Sequence, residues 1–238
     1  MWFVFAVIKR ANHPAAYRLA TLAALLCCPE SAAAQPVESG DFRVPDLVEL
    51  ARLDASIHLD IRYATRNNFT GRKLYAEARA FLQRPAVEAL LRANRTLQPH
   101  GFGLLVFDGY RPWSVTKVFW DVTPPDKHKF VADPQKGSRH NRGCAVDVGL
   151  YDLGTGREVA MPSAFDEMSE RAAANYLGGT PEQRRARALL RAALEKEGFS
   201  VNPDEWWHFD YKDSRLYRVL DLAFDKIHGA AASDAGRP

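Results

Sequence analysis

From residue 57 to 62 apolar and polar side chains alternate, with Ile57, Leu59 and Ile61 set against His58, Asp60 and Arg62. A period of two places the two sets on opposite faces of an extended chain, so the stretch predicts a half-buried strand. Asn67-Asn68-Phe69-Thr70-Gly71 follows as a loop. Pro85 opens a helix whose Val87, Leu90, Leu91 and Leu97 fall on one face, and Pro99 and Gly101 end it. A short apolar strand over 103–107 runs into Asp108-Gly109-Tyr110-Arg111, and Pro112 starts a second helix reaching Val122. Alternation returns beyond Gly143: Cys144, Val146, Val148 and Leu150 share one face, Ala145, Asp147 and Gly149 the other. Thr180-Pro181-Glu182-Gln183 reads as a capping box with proline at the first helical position. Leu189, Leu190, Ala193 and Leu194 form the buried stripe of that helix and Gly198 its stop, with Arg184, Arg185, Arg187 and Arg191 on its wet face. Helices and strands mix without regular alternation, which predicts an α+β fold: one domain, with a small, mainly antiparallel sheet flanked by helices.

The first 34 residues follow another pattern. Lys9, Arg10 and Arg18 precede an apolar run from Leu19 to Cys28, then Pro29 and the small-residue site Ala32-Ala33-Ala34. That order is the order of a secretory signal, and the run is about half the length a membrane-spanning helix needs. Leu26 stands before Cys27 where a lipoprotein would carry a small residue. The expectation is a leader over 1–34, export across an inner membrane to the periplasm with no lasting anchor, a domain over 35–228 and a disordered tail over 229–238. Cleavage after Ala34 leaves Cys144 as the sole cysteine, hence no intrachain disulfide, and takes the formal charge from +3 to +1. Near-neutrality without a basic stripe argues against a nucleic-acid partner. Oligomeric state is not legible.

Two stretches carry candidate chemistry. Ser138-Arg139-His140-Asn141-Arg142-Gly143-Cys144-Ala145-Val146-Asp147 offers an imidazole and, seven residues on, an aspartate between small residues; Glu205-Trp206-Trp207-His208 offers a second imidazole three residues after a carboxylate. Two neutral imidazoles and one carboxylate leave a zinc ion with residual positive charge, an open position and a neighbouring base. In a flat strand residues three apart face opposite ways, so Glu205 and His208 share a site only if the chain turns between them; Asn202-Pro203-Asp204 is a turn signal just upstream. One of the two tryptophans is expected in the core and the other on a cleft wall. His58, His100 and His128 read as solvated or locally bonded side chains, and Cys144, turned away from Asp147 by the alternation, is not expected to be a fourth ligand.

The pattern S-x-H-x-x-G-x-A-x-D with a downstream E-W-W-H resembles the zinc D-alanyl-D-alanine dipeptidases, which are related to zinc D,D-carboxypeptidases and to the hedgehog N-terminal domain. Arg62-Tyr63-Ala64-Thr65, Asn68-Phe69-Thr70-Gly71, Asp108-Gly109-Tyr110-Arg111-Pro112, Leu150-Tyr151 and Phe165-Asp166 extend the likeness over most of residues 57–211. The resemblance implies one zinc per chain, held in the sheet by His140, Asp147 and His208, with Glu205 as general base and Arg111 stabilising the tetrahedral oxyanion. It implies Asp166 as the partner of a small dipeptide's ammonium, with Ser138, Tyr63 and Tyr75 as further substrate contacts. An export signal on such an enzyme points to turnover of cell-wall peptides. Three alternatives use much of the same inventory. A D,D-carboxypeptidase or endopeptidase acting on stem peptides would not need Asp166, and a non-catalytic zinc module would need neither Glu205 nor Arg111. A non-heme iron oxygenase would need no base before its second histidine.

Overall fold

The computed structural model describes residues 34–227 together with Trp2; the expected leader, apart from Trp2 and Ala34, and the tail from Gly229 lie outside the described residues. Three short runs start the chain: β1 (Leu47–Glu49), β2 (His58–Leu59) and β3 (Phe81–Gln83). Helix α1 (Arg84–Leu97), strand β4 (Phe102–Asp108) and helix α2 (Trp113–Val122) follow. Then come β5 (Ala145–Asp152), α3 (Pro181–Lys196) and the hairpin of β6 (Phe199–Asn202) with β7 (Glu205–Tyr211). The main sheet has the order β2-β4-β5-β7-β6, antiparallel except that β2 runs parallel to β4, and β1 with β3 makes a separate antiparallel pair. This is the expected α+β architecture.

β4 and β5 lie at the centre of the sheet and are buried on both faces beyond Phe102, which is why their residues read as nearly continuous apolar runs. α1 packs on α3 and β4. Its seat is fixed by Asn94, fully buried, whose Oδ1 accepts the Leu104 amide at 2.9 Å and whose Nδ2 donates to Ser56. The capping box forms as read: Thr180 Oγ1 accepts from Gln183 N while the Gln183 side chain accepts from Thr180 N. No helix among the described residues is long and apolar enough to cross a membrane.

Two expectations need correction. The alternation over 57–62 pairs only at His58 and Leu59, because Arg62–Ala64 winds into a 3-10 turn that carries Tyr63 inward. Ile57 and Ile61 are nonetheless buried. Arg187 is not on a wet face: loop 173–176 covers that side of α3, and the buried guanidinium donates to the carbonyls of Ala173 and Tyr176 at 3.2 and 2.7 Å.

Candidate active site

β5 and β7 pair so that Asp147 stands opposite His208, and directly opposed residues project from one face of a sheet. His140 arrives from the 3-10 turn His140–Arg142, which Gly143 closes in the left-handed conformation at φ 68°. The left-handed backbone favours glycine, and a Cβ there would also press on Leu47 Cδ2 at 2.5 Å and on the Gln83 amide nitrogen at 3.3 Å. The result is three donor atoms in a tight triangle. His140 Nε2 is 3.1 Å from His208 Nδ1 and 3.3 Å from Asp147 Oδ1, and His208 Nδ1 is 3.1 Å from the same oxygen.

Where the protons sit decides what this triangle is for. His140 Nδ1 faces the Gly109 carbonyl at 2.7 Å, which only accepts, so that nitrogen carries the proton. His208 Nε2 faces Asp210 Oδ1 at 2.9 Å and carries its proton there. Both inward nitrogens therefore present lone pairs. Asp147 Oδ1 is the one buried side-chain oxygen or nitrogen without a hydrogen bond among the described residues. Three mutually repelling acceptors need a cation. A tetrahedral ion with bonds of ~2.0–2.1 Å has ligand–ligand edges of ~3.3–3.4 Å, close to the spacing found, so these residues fit a divalent metal with a fourth position left over. The outer hydrogen bonds to Gly109 and Asp210 are the partners that orient imidazole ligands. Gly109 can be nothing else, since a Cβ would lie 2.8 Å from the Phe81 carbonyl oxygen. Burial alone would raise the Asp147 carboxyl, but His140 and His208 hold it well below the usual carboxylate range. Burial works against the His208 cation, yet Asp147 and Asp210 raise its basicity well above the ordinary value, so His208 Nδ1 and Asp147 hold a cation, a proton or a metal ion, between them. Cys144 takes no part: it is buried on the opposite alternation, its thiol pushed by burial up to about 12.

Glu205 and His208 reach the same cavity although three residues apart in one strand. The break takes the form of a bulge rather than a turn. β6 and β7 pair regularly up to Val201–Phe209, and then Asn202 pairs with Glu205, which leaves Trp206, Trp207 and His208 without partners on β6. Glu205 Oε2 lies 3.8 Å from His208 Nδ1 and accepts the Asn202 amide at 2.8 Å. Burial pushes its carboxyl up to about 7. Trp206 is core, bonded through Nε1 to Ser163 Oγ, and Trp207 lines the cavity.

Arg111 leaves β4 at the turn whose backbone is tied to the histidine loop: its N donates to the His140 carbonyl, and its own carbonyl accepts from Asn141. The guanidinium is buried, with Nε on Asp108 Oδ2 at 2.9 Å and Nη2 3.5 Å from Asp147 Oδ2. Its carbon lies 4.5 Å from the centre of the Phe119 ring, an ordered cation–π seat. Against burial, Asp108 holds it charged.

Asp166 comes from the loop after β5. Both of its oxygens accept from Tyr63 Oη, at 2.9 and 3.0 Å, and its backbone is left-handed at φ 62°, the sole non-glycine residue with positive φ among those described. Such strain in a branched-carboxylate position tends to persist where it places a side chain for use. Burial and the nearby Asp147 push its carboxyl well above the ordinary range, so its charged form is stable only with a cation beside it. Ser138 also lines the cavity, its Oγ accepting the His140 amide. Tyr75 does not. It is buried behind the cleft with its hydroxyl donating to Asp108 Oδ1 at 2.9 Å, so it braces the carboxylate that holds Arg111 and is no substrate contact. The cavity of about 210 Å³ thus gathers His140, Asp147, His208, Glu205, Arg111, Asp166, Tyr63 and Ser138. Sequence reasoning gave no role to Asp108, Asn202 or Asp210. Asp210, two residues beyond His208, shares its strand face, but alternation alone does not distinguish it.

A cation triangle with a fourth position, beside a buried carboxylate and a guanidinium, is the equipment of a metallopeptidase. The chain belongs to the D-ala-D-ala dipeptidase family of peptidases M15, which it matches over residues 43–227. It is 34% identical over 175 residues to the D-alanyl-D-alanine dipeptidase of Escherichia coli, a match covering 74% of this chain and 89% of that one. The D-alanyl-D-alanine dipeptidase of Enterococcus faecium is 35% identical over 184 residues, covering 68% and 90%. That of Streptomyces coelicolor is 32% identical over 193 residues, covering 74% and 93%.

Proposed function

We propose that this chain hydrolyses the D-alanyl-D-alanine dipeptide with one zinc ion held by His140, Asp147 and His208, and that it does so after export, in turnover of cell-wall peptides. The observation that supports it most is the meeting in one small cavity of the metal triangle, Glu205 and the Tyr63-held Asp166. Bound there, zinc supplies a Lewis acid that polarises the scissile carbonyl and acidifies a water molecule. The chain's own groups do the rest. Asn202 holds Glu205 Oε2, leaving Oε1 to take the proton of the attacking water. The same carboxyl then returns that proton to the amine nitrogen as the C–N bond breaks, releasing two D-alanines. Arg111, already charged and oriented by Asp108, meets the negative charge that develops on the carbonyl oxygen without reorganising. Asp166 and Tyr63 receive the ammonium, and the salt pair restores the charged state that burial disfavours.

If Arg111 acts on developing charge, its replacement by lysine keeps a cation but loses the fork. Turnover should then fall by about two orders of magnitude while the Michaelis constant moves little. Steady-state kinetics separates the two, and a pure rise in KM would give Arg111 a binding role instead.

The substrate assignment is tested by acylation. An N-acetyl group removes the cation that Asp166 requires, so the buried ion pair does not form, a loss of about 3–5 kcal/mol. N-acetyl-D-Ala-D-Ala should be cleaved at least a hundredfold more slowly than the free dipeptide, and Asp166→Ala should narrow the gap. Equal rates on the two would overturn the dipeptidase reading in favour of a carboxypeptidase.

A further inference from the structure

We infer that Arg139 receives the substrate's terminal carboxylate and so fixes the direction in which a zwitterionic peptide lies across the cleft. The inference rests on the dipeptide reading above. It follows from how the strand order spreads charge over the sheet. Tyr63 follows β2, Arg111 follows β4, Asp147 lies in β5, and His208 and Asp210 lie in β7, so the cleft's polar groups succeed one another in the order β2-β4-β5-β7. Neighbouring strands are ~4.8 Å apart. Asp166, held by Tyr63, therefore stands on the β2 flank of the metal triangle, and Arg139, whose Nε lies 3.2 Å from Asp210 Oδ2, stands on the β7 flank. One flank ends in a carboxyl, the other in a guanidinium whose Nε edge is paired with Asp210, and the metal triangle lies between them.

Arg139 is equipped for the part. Its side chain is 54% exposed and lines the cavity next to Ser138. Its ion pair to Asp210 uses the Nε edge, and among the described residues its two Nη groups make no hydrogen bond to protein. A planar fork with free Nη donors matches a carboxylate in two parallel bonds. The other guanidinium of the cleft, Arg111, is buried and engaged by Asp108 and Asp147. Gly137, Ser138 and Arg139 also line a neighbouring depression of about 330 Å³, together with Lys136, Arg215 and the paired Arg142 and Glu38. A dipeptide spans roughly 7 Å between its charged ends, about one and a half strand spacings. Anchored at Asp166 on the β2 flank, it covers about half of the three spacings to β7, and the long, half-exposed Arg139 side chain reaches inward to cover the rest.

The experiment compares D-Ala-D-Ala with its C-terminal amide. Wild-type enzyme should cleave the amide with a kcat/KM lower by about thirtyfold, the worth of a charge-assisted hydrogen-bond pair. Arg139→Gln should raise KM for the free dipeptide about tenfold or more with kcat nearly unchanged, leave the amide alone, and close the gap; Arg139→Lys should recover part of it. In a Glu205→Gln background, calorimetry should show D-Ala-D-Ala binding weakened at least tenfold by Arg139→Gln, with metal content unchanged. Wild-type enzyme that treats acid and amide alike would overturn the proposal. So would equal losses on both substrates together with loss of metal, which would make Arg139 a prop for Asp210 and His208, or an effect produced by Lys129→Gln in place of Arg139→Gln. An enzyme that cleaves neither compound sinks the dipeptidase reading instead, and the calorimetric comparison of acid with amide still decides the role of Arg139.

Discussion

Glu205→Ala should retain about one metal ion per chain and lose turnover by on the order of a thousandfold or more. The carboxylate lies outside the triangle of donor atoms, 3.8 Å from His208 Nδ1, and its Oε2 is already engaged by Asn202. Removing it takes away both the proton acceptor and the proton donor of the reaction while every ligand stays in place. Elemental analysis and steady-state rates together make the test, and loss of metal in this variant would turn Glu205 into a fourth ligand. If Glu205 is the general base proposed, it should also set the acid limb of the pH profile. Burial raises its carboxyl from 4.5 to about 7, and a cation in the triangle pulls it back down. As a base it works only when ionised, so kcat/KM should rise with pH through an apparent pKa between those two values. Glu205→Gln should abolish the limb along with the rate, and a limb that survives that change belongs to another group.

His208→Ala should empty the site. Asp147 and His140 alone give two of three ligands, and the triangle loses two of its three edges, 3.1 Å each. Metal content measured after gel filtration should fall from about one per chain to a small fraction, with activity falling in proportion. The substitution also deprives Asp210 of its imidazole partner, although Arg139 still faces that carboxylate and limits the damage to the fold. A variant with full occupancy would overturn the ligand assignment.

What the sequence makes legible follows from how local each signal is. The caps and stripe of α3, the proline start of α1 and the alternation of β5 depend on near neighbours, and they appear where periodicity puts them. The bulge opposite β6 depends on how two strands pair, and nothing within Glu205-Trp206-Trp207-His208 encodes its width; the need for some break was readable, its form was not. The donor atoms of His140, Asp147 and His208 announce themselves by chemistry, and the structure brings them together. The groups behind them do not. An aspartate two residues from His208 reads as one more polar position in an alternating strand until its oxygen is seen 2.9 Å from the ring. Tyr75 shows the opposite error: resemblance carries over a position, not the direction of a side chain, and this hydroxyl points to Asp108. Arg187 failed as a surface residue because the loop leading into α3, which helical periodicity does not register, folds over its side of the helix.

If Asp166 clamps the substrate's ammonium as proposed, it sets stability against selectivity at a single position. Its left-handed backbone and its buried carboxyl are each unfavourable by an amount on the order of 1–3 kcal/mol, and glycine or asparagine would relieve one or both. Mutation filtered for foldedness alone therefore runs downhill here, toward a sturdier protein with no grip on a free amine. Descendants of this chain under relaxed selection should lose the amino-end clamp before they lose the metal, because the triangle is built from residues in ordinary conformations while the clamp is held against its own backbone. A peptidase of broader appetite lies one substitution away, on the stabilising side.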